Sequence, residues 1–332
     1  MIERLKNSLY RHIGFDRRVS FRDIPNNGNP EMANDIIQFY SSYDNIGNYL
    51  PVLGIQQMLG CKTDVCCAHK TDIDYDYINS TYKCAIIGGA GLLHRSFNPF
   101  WHAASQKLNL PIIVWGVGVC LPDDRPEEAD RTAVNDVFRK AEMVNVRDAL
   151  TASLYDVREI DISACPTIVY LDQFREKKSQ LNRRMLVSWH KGLLTREENY
   201  QVIATVRSFY DDILFTNNIQ VPSEGLVDII EQYYCLSRMV ITSRLHGAII
   251  SYALGIPYIG IACDEKVRAF VREYGNGIAI EEISKLKDKE IYNRAIEAMK
   301  RPIAREGVLD FGRRASQMVE DICTQASSRS VS

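Results

Sequence analysis

Short apolar runs recur along the chain, each ending in a glycine, a turn residue or a charge and each followed by a segment of helical periodicity. In the first half, "DIIQFYSS", "KCAIIGGAGLL", "PIIVWGVGV" and "MVNVRD" read as strands rich in β-branched and aromatic residues. Between them "LPVLGIQQMLG", "NPFWHAASQKLN", "PEEADRTAVNDVFRKAE" and "ALTASLYD" read as helices, the third with Pro126 suited to a first turn. Ahead of the first helix, "YDNIGNYLP" carries turn chemistry at Asn45, Gly47 and Asn48. The second half repeats the alternation with "RRMLVSWHK", "EENYQVIATVRSFY", "DDILFTNN" and "GLVDIIEQYYCLSR". It continues into "MVITSRLHGAIISYALGIPYIGIACDEK", which reads as strand, helix, strand. Runs that stay apolar throughout indicate strands buried on both faces, as in parallel sheets covered by helices.

One stretch breaks the alternation. "LDQFREKKSQLNRR" is charged and lacks apolar periodicity, which predicts a linker over residues 173–183. The pattern therefore divides into an α/β domain over residues 1–172 and a second over residues 184–325, facing a cleft. "GRRASQMVEDICTQA" reads as a closing helix, and residues 326–332 as a frayed tail.

Composition narrows the partners. The 332 residues carry a formal net charge of -2, which offers no global basic field for a nucleic acid but leaves room for a local cationic pocket. The nine cysteines are odd in number and form no C-x-x-C pair, which fits free thiols in a reducing compartment. Cys61, Cys66, Cys67 and His69 match no zinc-ligand spacing, so no metal is expected. Neither a secretory signal nor an apolar stretch of about 20 residues is visible, which predicts a cytoplasmic protein. Residues 1–18 place Ile2, Leu5, Leu9 and Ile13 at helical spacing among basic residues. That pattern suits peripheral contact with an anionic inner-membrane face, or packing on the chain's own domain or on a second subunit.

Ligands of open α/β sheets bind at the carboxyl ends of strands, so the loops there are the candidate site. Ser243 is positioned to cap the helix that follows, whose first-turn N–H groups favour an anion. Arg244 offers a fork for phosphate or carboxylate, His246 a group that can move a proton, and Gly247 room for a ligand near the backbone. An arginine satisfying carbonyls beside a locally capping histidine is the structural alternative. Lys266 and Arg147 end other strands of the same cleft. Asn45, Asn48, Gly89, His94 and His190 line the remaining loops; His190 follows Trp189, which suits a rim that stacks on sugars. The glycines of "GGAG" and "GVG" are weak signals alone, since either serves a tight turn equally well.

With these residues in view, "SRLHGAIISYALGIPYIGIACDEKV" resembles the signature of the polysaccharide pyruvyl transferases. The "IIGGAGLL", "VWGVGV" and "VRD" segments and the "NIGN" turn are similar to that family in the same order. The resemblance implies two Rossmann-like domains facing a cleft, in the manner of the GT-B glycosyltransferases. It implies phosphoenolpyruvate as donor, no cofactor, and a glycan or lipid-linked oligosaccharide as acceptor. The product would be a pyruvate ketal on two hydroxyls of one sugar, with phosphate released. Ser243, Arg244, Gly247, Lys266 and Arg147 would then hold the donor, with Arg244 and His246 catalytic. Asn45, Asn48, Gly89, His94 and His190 would face the acceptor. The family usually carries Asp where this chain has Asn48, and an amide hydrogen-bonds but takes no proton. A nucleotide-sugar glycosyltransferase and a non-catalytic glycan-binding relative are the alternatives on the same loops.

Overall fold

The protein is described by a computed structural model that covers residues 17–18, 34–42, 44–120, 127–157, 159–178, 184–190 and 192–329. Residues 1–16, which carry most of the expected membrane-facing helix, and Pro126 lie outside this range. The apolar runs fold into two wholly parallel sheets. The first has strand order β2-β1-β3-β4-β5-β6, with β1 Ile36–Tyr40, β2 Asp64–Cys67, β3 Cys84–Gly88, β4 Ile112–Val117, β5 Met143–Val146 and β6 Asp161–Ile162. The second has order β11-β10-β9-β7-β8, with β7 Arg184–Ser188, β8 Ile213–Thr216, β9 Ser237–Thr242, β10 Tyr258–Ile261 and β11 Ile278–Ile280. Central strands such as β1, β3 and β4 are buried along their whole length, which explains their unbroken apolarity.

Helices follow most strands: α1 Ile46–Leu59, α2 Tyr75–Thr81, α3 Asn98–Lys107, α4 Arg131–Lys140, α5 Ala149–Ala152 and α6 Thr167–Tyr170 in the first half. The second half has α7 Arg196–Arg207, α8 Leu226–Ile229, α9 Leu245–Leu254, α10 Glu265–Tyr274, α11 Lys289–Ala298 and α12 Glu306–Arg329. Two starts differ from the sequence pattern. The first helix begins at Ile46, not at Leu50, because Asn45 caps it and Pro51 is carried inside it. The helix expected from Pro126 begins at Arg131, where the Asp130 carboxylate accepts from the Thr132 and Ala133 N–H groups.

The predicted linker is tethered at its start. Leu171–Lys177 forms a 3₁₀ turn whose Leu171 and Phe174, three residues apart, fall on one face and are buried against α9 and its neighbours. Of the expected frayed tail, residues 326–329 belong to α12, which runs through Arg329, and residues 330–332 lie outside the described residues. This helix follows the second domain in sequence but packs on the first sheet. Phe311, Ala315 and Val319, at spacing of four, meet Ile36, Ile86, Ile113 and Trp115. The Phe311 and Trp115 rings meet edge to face at 5.3 Å, and burying such a side chain contributes about 1.5–3 kcal/mol. The two halves are further joined where α1 starts. Ile46 N–H donates to Asn218 C=O at 2.9 Å, and Gln220 N–H to Asp44 C=O at 2.8 Å.

Candidate active site

The carboxyl ends of both sheets face each other across a cavity of about 350 Å³. The first sheet contributes Ser41 and Ser42 after β1, His69 after β2, Gly91, His94 and Phe97 after β3, Val119 and Cys120 after β4, and Arg147 after β5. From the second come His190 and Leu193 after β7, Arg244, Leu245 and His246 after β9, and Lys266 after β10. Two helices also begin here. Asn45 and Asn48 of the α1 start and Leu245 and His246 of the α9 start are all in the wall, so two helix N-termini add positive potential. The two first turns interlock: a Cβ at Gly47 would fall 2.5 Å from the His246 ring, so only glycine lets α1 approach that imidazole.

Three cations among the described residues share the cavity, each held differently. Arg244 donates its Nε–H to Trp189 C=O at 2.7 Å and has no acidic partner among the described residues. Burial pushes its guanidinium down to about 10, still charged at neutral pH. Arg147 is fully buried, its Nε 3.0 Å from Asp148 Oδ2 and an Nη donating to Val119 C=O at 3.2 Å. Burial opposes that charge, but Asp148 beside it more than compensates and the guanidinium stays firmly protonated. Lys266 lies 2.7 Å from Asp264 Oδ2 and donates to Cys120 Sγ at 2.9 Å, a contact between the two domains. Burial works against its charge too, yet Cys120 and Asp264 raise its basicity above the usual lysine value. No Asp or Glu is among the described residues that line the cavity.

The histidines are not equivalent. His246 has a buried Nε2 with no hydrogen-bond partner, and burial, then Arg147, Lys266 and Arg244, lowers it to about 3. His190 is lowered to about 4 by burial and then by Arg244 and Lys266. Its Nδ1 accepts from Gly192 N–H at 3.1 Å, which puts the proton of the neutral ring on Nε2. A histidine held neutral in the fold protonates more readily once unfolded. The stability it contributes is therefore complete above about pH 6.5 and falls as pH drops from there toward its folded value of about 3. Between pH 8 and pH 4.5, two units below the ordinary imidazole value, His246→Gln should lose about 2–3 kcal/mol less stability than the wild type. Urea unfolding at the two pH values measures this; equal losses would mean His246 is not held neutral.

Residues 45–265 match the polysaccharide pyruvyl transferase family along two thirds of the chain. The chain belongs to this family. No curated protein gives a significant match. Among solved structures, it is similar to the UDP-GlcNAc 2-epimerase of Methanocaldococcus jannaschii in complex with UDP-GlcNAc and UDP. That likeness has a TM-score of 0.56 at 11% identity, over 87% of this chain and 99% of the other. The UDP-GlcNAc 2-epimerase of Neisseria meningitidis bound to UDP-GlcNAc is similar at TM-score 0.52 and 9% identity, over 87% and 99%. At such identities the likeness concerns the fold, which is the two-domain GT-B arrangement of parallel α/β sheets.

Within this family member, the structure brings Asn45, Asn48, His94, Arg147, His190, Arg244, His246 and Lys266 to one cavity. It does not bring three others into the wall. Ser243 is not the cap of α9: that position is Arg244, and Ser243 Oγ instead accepts from His190 N–H at 2.9 Å behind the wall. Gly247 makes room for protein, not ligand, since a Cβ there would fall 2.2 Å from Thr242 Oγ1. Gly89, at φ +81°, likewise faces Pro51 of α1, and Gly91 lines the cavity in its place. His94 lies in the wall with both ring nitrogens engaged: Nδ1 accepts from Ser96 N–H at 3.1 Å, and Nε2 is 2.5 Å from Glu127 Oε2. His69, Phe97, Ser42 and Cys120 are among the lining residues that sequence reasoning missed. His69 lies two residues beyond the end of β2, so the same carboxyl-end rule reaches it once "DVCC" is read as a strand.

Proposed function

We propose that the protein transfers the pyruvyl group of phosphoenolpyruvate to two hydroxyls of one sugar in a polysaccharide or its lipid-linked precursor. The observation that carries this reading is the cavity wall: Arg147, Arg244 and Lys266, two helix N-termini and no carboxylate among its described residues. A donor with a phosphate and a carboxylate matches such a wall, because each group needs its own charge-assisted hydrogen bonds. Arg244 and the first turn of α9 suit the phosphate, and Arg147 with Lys266 the carboxylate. Bound phosphoenolpyruvate brings negative charge beside His246, which opposes the three cations and raises the basicity of that imidazole. His246 can then protonate the enol carbon C3 while a sugar oxygen bonds to C2. Phosphate leaves with the C2–O bonding pair, and the second hydroxyl closes the ketal. Of the two hydroxyl protons released, one ends on the new methyl group and the other on phosphate.

The test is incubation with phosphoenolpyruvate and candidate glycan acceptors. It should release inorganic phosphate and add to the acceptor the mass of pyruvic acid less one water. Phosphoenolpyruvate alone should raise the melting temperature. Stabilisation by a nucleoside diphosphate but not by phosphoenolpyruvate would instead assign a nucleotide-sugar donor. Binding of phosphoenolpyruvate with no phosphate release on any acceptor would assign a non-catalytic role.

A further inference from the structure

Attack by two hydroxyls needs a group to take a proton on the acceptor side of the cavity, and most of the polar wall is unable to do so. Asn48 is an amide, and its Nδ2 donates to Ser42 Oγ at 2.5 Å. Both nitrogens of His94 are used, by Ser96 and Glu127. His190 spends its Nδ1 lone pair on Gly192 N–H and presents a donor. His246 is buried among the cations that suit the donor anion. His69 remains. It stands exposed at the rim, its ring 4.1 Å from that of Phe97 at an interplanar angle of 33°. Neither of its ring nitrogens has a hydrogen bond among the described residues. Partial burial, and then His94, lower its basicity, which keeps the ring neutral and able to accept at neutral pH.

We infer that His69 is the general base for the acceptor, seated on Phe97 with a free nitrogen toward the incoming hydroxyl. This rests on the pyruvyl-transfer reading of the cavity. In the step assigned to it, the hydroxyl O–H bond breaks toward a His69 nitrogen as the sugar oxygen bonds to C2. The C2=C3 π pair meanwhile takes up the proton of His246 at C3. Phosphate later leaves with the C2–O bonding pair and takes the proton held by His69, and the second hydroxyl's proton restores His246. An exposed position at the rim suits this role, because a large glycan must reach it without entering the cation-lined interior.

The experiment compares the full-length wild type with His69→Gln, His69→Phe and His69→Ala. Phosphate release with acceptor present is the readout, and thermal protection by phosphoenolpyruvate the control for folding and donor binding. Loss of a positioned base costs roughly 10²–10⁴-fold. All three variants should therefore keep donor protection and an unchanged KM for phosphoenolpyruvate while kcat falls about 100-fold or more. Added imidazole should restore part of the His69→Ala rate and none of the His69→Phe rate, where the ring fills the space. Near-normal turnover in His69→Phe would overturn the proposal and leave the residue a stacking surface. Unrescued loss in His69→Ala, with a raised KM for acceptor and an unchanged kcat, would also overturn it. A wild type that neither binds nor consumes phosphoenolpyruvate overturns the pyruvyl-transfer reading itself, and this assignment with it.

Discussion

Replacing Arg244 by alanine is expected to lower kcat/KM for phosphoenolpyruvate by about 30- to 4,000-fold. This corresponds to the roughly 2–5 kcal/mol lost when one partner of a desolvated charge pair is truncated. Lysine should not rescue it, because the fork that grips an oxyanion with two parallel bonds is absent from a point charge. The same substitution separates binding from folding. In the ligand-free protein Arg244 is a charge without an acidic partner among the described residues, pushed down to about 10 by burial. A depression of that size means the fold carries an unfavourable charge worth on the order of 3 kcal/mol. Part of it is offset by the bond to Trp189 C=O. Arg244→Met, which keeps the volume, should then unfold at no lower urea concentration than the wild type while losing thermal protection by phosphoenolpyruvate. Lost stability together with retained protection would make Arg244 a strut between carbonyls, the structural alternative its position allows.

Much of this arrangement is legible in the sequence, and what is not has identifiable causes. The central strands are readable because they are buried on both faces, as in "CAIIG" and "IIVWGV". The outer strands β2 and β6 are short and begin with Asp64 and Asp161, so no apolar run announces them. Missing β2 also removed its loop from view, and with it His69. Turn chemistry misled at Asn45, because asparagine suits a helix cap as well as a turn and only the contacts decide. The cation set was readable, since Arg147, Arg244 and Lys266 each follow an apolar strand. The distinct states of the four histidines were not, because they depend on partners far along the chain: Glu127 lies 33 residues from His94, and Gly47 abuts His246 from the other domain.

Arg147 is expected to give the largest loss of stability, for the opposite reason to Arg244. Its guanidinium and the Asp148 carboxylate are both buried, each 1% exposed. Asp148 also accepts from Thr151 N–H and Thr151 Oγ1–H, and Thr151 Oγ1 in turn accepts from Val119 N–H. A Cβ at Gly118 would fall 2.3 Å from the guanidinium carbon, so the loop after β4 is shaped around this charge. Arg147→Met leaves Asp148 charged and buried without its partner, a change that costs about 3–5 kcal/mol. Adding Asp148→Asn removes the stranded charge while its amide oxygen still accepts from Thr151, so the double variant should recover a substantial part of that loss. A double-mutant cycle by urea unfolding measures the coupling, and simple additivity would mean the two charges do not depend on each other. Donor binding should behave otherwise. If Arg147 grips the carboxylate of phosphoenolpyruvate, protection is lost in the single variant and stays lost in the double, however well the fold recovers. If protection returns with stability, Arg147 only shapes the loop after β4, and Lys266 is left as the cation for that carboxylate.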